Sequence, residues 1–134
     1  LTDFFRKNPN TVLDGELYNH ALKDDFEKIV SLVRKTKPTE DDRRDAQHLV
    51  QYRVYDTIAE GPDDESRFNW LRTNLPIAAS MTLIKNTVVE SALHAHILHD
   101  VHLTQGYEGS MLRLNKKYEH KHYKDLHRHR YCVQ

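Results

Sequence analysis

The sequence predicts an all-α protein: four long helices with a short one inserted, packed like a bundle and finished by a basic, His- and Tyr-rich C-terminal helix or tail. Three observations predict it. Apolar residues recur at three- and four-residue spacing through most of the chain. No segment sustains a two-residue alternation, and no two strand-like runs flank a hairpin signal such as Asn-Gly. Helix start and stop residues punctuate the chain at intervals that suit helices.

Taken in order, residues 1–10 read as a lead-in in which Phe4 and Phe5 are adjacent and Pro9 ends the segment. From Asp14 to Thr36, Tyr18, Ala21, Leu22, Phe26, Ile29, Val30 and Val33 share a helical stripe. Arg34, Lys35 and Lys37 crowd its C-terminal turn, where cations suit the helix dipole, and Pro38 stops it. Thr39 is a good N-cap for a second helix with Glu40, Asp41 and Asp42 in its first turn. Ala46, Leu49, Val50, Val54 and Ile58 form the apolar face, and Gly61-Pro62 ends it. Asp63, Asp64 and Glu65 open the short helix, packed through Phe68, Trp70 and Leu71 and limited by Pro76.

A long central helix is predicted from Ile77 to Thr104. Val88, Ala92, Ala95 and Leu98 make one apolar band on it, and Val89, Leu93, Ile97 and Val101 a second. A helix apolar on two sides is normally buried on two sides. Gly106 and Gly109 bracket a turn, after which Met111, Leu114, Tyr118, His122, Leu126 and His129 fall near one last stripe. Residues 119–134 have too few aliphatics to bury themselves and read as a partly extended basic tail.

At 134 residues the chain fits a single helical domain with a real core. A formal net charge of zero excludes an electrostatic nucleic-acid or membrane binder acting through the whole surface. The charge is uneven, however, with Arg113, Lys116, Lys117, Lys121, Lys124, Arg128 and Arg130 set against Glu119 and Asp125 after Met111. A single cysteine, Cys132, excludes a disulfide framework and a Cys-based zinc finger. No apolar run approaches the length of about 20 residues that a transmembrane helix needs. The first residue is Leu1, not Met, which suits an intracellular protein whose presequence was removed, as in mitochondria, or an excised piece.

Two constellations could carry chemistry. His96, His99 and Asp100 lie three and four residues apart on the predicted central helix, the spacing that lets imidazole and carboxylate meet on one metal. Glu90 with His94 is a second choice, and zinc, iron or manganese would suit either set. The bland reading gives these rings hydrogen bonds between packed helices and no cofactor. The His99-Asp100 doublet resembles that of metal-dependent HD phosphohydrolases, which would imply His20 or His48 and Asp125 as further ligands. Val101-His102-Leu103 lacks the glycine expected after that doublet, so the chain is not assigned to the family.

The second constellation is the tail, where Lys116, Lys117, Lys121, Lys124, Arg128 and Arg130 alternate with Tyr118, Tyr123 and Tyr131. Such a pattern offers phosphate contacts with stacking surfaces between them. No Gly-rich phosphate loop, no Gly-x-Ser-x-Gly and no rigidly held thiol is present, so no catalytic residue is named. The leading expectation is a non-enzymatic helical subunit or adaptor of a larger assembly, docking on other protein subunits through Phe4, Phe5 and the tail. A His/carboxylate metal protein, a hydrolase or oxidase, is the rival. An RNA-associated protein using the tail is the third reading.

Overall fold

The computed structural model describes residues 2–59, 62–76 and 78–119, and it corrects the all-α expectation. Among these residues five helices and one 3₁₀ turn surround a three-stranded sheet. The order is α1 (Thr2–Lys7), β1 (Val12–Tyr18), the 3₁₀ turn (His20–Leu22), α2 (Phe26–Arg34), α3 (Glu40–Leu49), β2 (Gln51–Ile58), α4 (Asp64–Asn74), β3 (Met81–Leu83) and α5 (Ala92–Thr104).

β2 is the middle strand, antiparallel to β1 and parallel to β3. Its sequence, QYRVYDTI, is rich in the β-branched and aromatic residues that fit a pleated, half-buried surface. Val50, Val54 and Ile58 lie four apart and so imitate a helix face; the real helix ends at Leu49 and the chain turns straight into the strand. The same imitation misleads in the first predicted helix. Tyr18, Leu22 and Phe26 belong to three different elements, and only Phe26–Arg34 is α-helical. The central helix is likewise shorter than expected, because β3 and an irregular stretch occupy its first half.

Two expectations hold at their residues. Thr39 caps α3 in a reciprocal box: its hydroxyl oxygen accepts from the Asp42 N–H at 3.2 Å, and the Asp42 carboxylate accepts from the Thr39 N–H at 2.8 Å. The Asp42 carboxyl is held well below the usual range, first by Lys35 and then by Thr39. Asp63 opens α4 by accepting from the Ser66 N–H at 2.9 Å, and that helix closes at Asn74, just before Leu75-Pro76.

The main core lies where α4 crosses β2: Val54, Leu71 and Met81 are buried, with Leu13, Tyr52, Trp70, Leu75 and Leu83 packed around them. Leu71 alone, fully buried, contributes about 1.5–3 kcal/mol of transfer free energy. Ile29 and Leu32 of α2 are buried as well, in a helix that packs on α3. α5 buries none of its residues. Leu93 is 70% exposed and Ile97 53%, so the second apolar band faces solvent, correcting the picture of a helix covered on both flanks.

A β-bulge interrupts the β1–β2 ladder between Asp14 and Gly15, so that Tyr55 has no partner opposite it. Gly15 is required there: a Cβ would collide with the Arg53 carbonyl oxygen and with the Tyr52 ring. The side chains of Asp14, Glu16 and Tyr18 alternate along β1 on the face that meets Arg53 and Tyr55. That alternation sets up the site.

Candidate nucleic-acid interface

After α5 the backbone reverses at Gly106, whose φ of 83° belongs to the left-handed region that glycine enters without strain. Residues 110–119 then run as a strap without regular secondary structure. Four successive anchors tie it down. The Arg113 guanidinium pairs with Asp56 and with Asp64 (2.6 Å) and donates to the Tyr55 carbonyl at 2.7 Å. The Asn115 side chain accepts from the Glu65 N–H at 3.0 Å and donates to Asp63. The Lys116 carbonyl accepts from Arg67 at 3.0 Å. The Tyr118 hydroxyl donates to Asp14 at 2.7 Å, and its ring lies 5.6 Å from the Arg67 guanidinium.

Arg67 holds these anchors together. It is 3% exposed, donates to both Asp56 oxygens at 2.8 and 3.0 Å, and also reaches Asp64 and the Pro62 carbonyl. The bond to Asp56 raises its pKa further, so the guanidinium stays charged throughout. Burial pushes the Asp64 carboxyl up, against the opposing pull of Arg113. Burial, followed by the bond to Asp14, pushes the Tyr118 phenol up to about 12, and burial raises Tyr55 in the same way.

Beside the strap lies the polar face of the sheet. Arg53 sits 5.4 Å over the Tyr18 ring. The Tyr18 hydroxyl and the His20 Nδ1 share a hydrogen bond of 2.8 Å, and His20 stacks on Tyr107 with centroids 4.4 Å apart. Carboxylates, phenols and a guanidinium gathered on one face can bind a polar ligand by hydrogen bonds and ring stacking.

The residues singled out in the sequence fare unevenly. Lys116 and Lys117 are exposed on the strap and Tyr118 is half-buried beside them, so these three do belong together. Lys121, Tyr123, Lys124, Arg128, Arg130 and Tyr131 lie outside the described residues. Phe4 is a core residue, buried with its ring 6.2 Å from Trp70, and Phe5 packs edge-on against Phe4. His96 and Asp100 are exposed and His99 is half-buried; Glu90 precedes α5, and His94 is the residue whose N–H is capped by Ser91. Among the described residues no three His, Cys, Asp or Glu side chains converge as a metal ion requires.

The sequence names none of Asp14, Asp56, Asp64, Arg67 and Asn115 as a site residue, placing Asp14 and Asp64 only at helix starts, and marks Arg113 only as a charge. A signal existed for two of them: Asp56 follows the apolar positions Tyr52 and Val54, and Arg67 stands between a helix cap and Trp70-Leu71. Opposite charges set among core-forming residues call for each other.

No family model matches the chain, and no curated protein matches it. Among solved structures, a Lig E DNA ligase, studied for DNA binding with a minimal scaffold, is similar in fold, with a TM-score of 0.68 and 24% identity. The match covers 88% of this chain and 45% of that one, so the chain spans less than half the ligase's length. The expectation of a non-enzymatic helical adaptor is corrected with its fold: the chain is similar in fold to a Lig E DNA ligase and is built on a three-stranded sheet, not a bundle. Of the two phenylalanines expected to dock on protein subunits, Phe4 is spent on the core and Phe5 is exposed. Among the described residues no helix is long and apolar enough to cross a membrane.

Proposed function

We propose that this is a DNA-binding, ligase-like protein that meets the phosphate backbone through Lys116 and Lys117 and through the cations that follow them in sequence, Lys121, Lys124, Arg128 and Arg130. The observation that supports this reading most is the likeness in fold to a DNA-binding ligase over 88% of the chain. The placement of the basic residues agrees with it. With a net charge of zero, the chain has no general attraction for a polyanion, so contact must be local. The strap is where exposed lysines follow one another and where the basic run begins.

Binding of the chain to a nicked duplex, followed by fluorescence anisotropy over a range of salt, tests the proposal. The logarithm of the binding constant should fall linearly with the logarithm of salt concentration, by about 0.9 for each phosphate neutralised. Replacing Lys121, Lys124, Arg128 and Arg130 together by alanine should flatten that slope. Absence of binding at low salt, or binding indifferent to salt, would overturn it.

A further inference from the structure

Resting on the DNA-binding reading, we infer that the strap is a pre-set phosphate clamp in which Tyr118 is a positioning residue, acting on DNA only through the lysine pair beside it. An irregular segment on a protein surface is ordinarily mobile. Here Arg113, Asn115, the Lys116 carbonyl and Tyr118 are all tied inward, while the Lys116 and Lys117 side chains are exposed between the last of these ties. A short turn, in which the Lys116 N–H donates to the Leu114 carbonyl at 2.8 Å, fixes the backbone that carries them.

The carboxylates beneath would repel a phosphate if they faced it. They are turned under instead. Asp56 and Asp64 pair with Arg67 and Arg113, Asp14 accepts from Tyr118, and Asp63 accepts from the Ser66 N–H and from Asn115. Lys116 and Lys117 are exposed on this stretch beside one exposed acid, Glu119, so cations outnumber anions on its outer side. A strap already ordered in the free protein does not draw its ordering cost from the binding free energy, which is the general advantage of preorganisation.

The experiment is a double-mutant cycle on the full chain with the same nicked duplex. Tyr118→Phe removes the bond to Asp14 and keeps the ring. It should weaken binding by about three- to tenfold at fixed salt, the range a single hydrogen bond commands, and leave the salt slope unchanged. Lys116→Ala with Lys117→Ala should lower the slope by about 1.8. Combined with those two changes, Tyr118→Phe should have no further effect, because its route to DNA is gone.

A Tyr118→Phe effect that persists in the lysine-free background would mean the ring touches DNA itself, and would overturn the inference. So would a Tyr118→Phe protein that binds as the parent does, with the DNA-binding reading left standing. A parent chain that does not bind removes the reading and the inference together. If Tyr118→Phe lowers the folded fraction, Asp14→Ala removes the acceptor of the same contact from the other side and is read in the same cycle.

Discussion

Asp56 draws its two cationic partners from separate parts of the chain, Arg67 on α4 and Arg113 on the strap. Breaking such a pair strands a desolvated charge, at a cost of about 3–5 kcal/mol, whereas replacing the whole group by apolar residues is often neutral. The network is therefore better read as a device that fixes where the strap lies than as a source of net stability. Tyr118 gives this scale its test. Its folded pKa, about 12, lies above the ordinary phenol value of about 10. The stability linked to it is fully present below pH 10 and is lost as pH rises through the folded value. Urea unfolding followed between pH 9 and 12 should show that loss, and Tyr118→Phe should blunt it, with Tyr55 responsible for part of what remains. A phenylalanine variant as alkali-sensitive as the parent would remove Tyr118 from the account.

At the scale of elements, the β1–β2 pair depends on one glycine. Gly15→Ala puts a methyl group against the Arg53 carbonyl, so either the strands part or the bulge shifts. Loss of about 1–3 kcal/mol is expected, in line with other overpacked sites, and denaturant unfolding measures it. A loss below about 0.5 kcal/mol, the scatter of ordinary surface changes, would mean the ladder has slack at the bulge. The elements legible in the sequence were those with chemical boundaries: α3 through Thr39, α4 through Asp63 and Pro76, the end of α5 through Gly106. The strands were hidden because their apolar residues fall at four-residue spacing across element borders, while β2's alternation is clear only from Gln51 to Tyr55, before the bulge. The site was half legible. Exposed lysines advertise themselves, but Arg67 and Asp56 are meaningful only once pairing brings β2 against α4.

For the whole molecule, burial is concentrated and predicts a gradient of local stability. Val54 and Leu71 are fully buried, whereas α5 buries no residue. Amide hydrogen exchange should be slowest in β2 and α4 and fastest, among the helices longer than two turns, in α5 and in α3, which also buries no residue. Equal protection in α5 and α4 would show that the exposed Leu93–Ile97 band is covered in solution. The strap sets a different timescale. Its contact with Asp14 joins residues 104 positions apart, so it closes the longest loop among the hydrogen bonds described. During synthesis β1 emerges 104 residues before Tyr118, so their contact forms only once the elements between them have been made. The lysine pair thus takes its final place late in folding, after the sheet that supports it has formed.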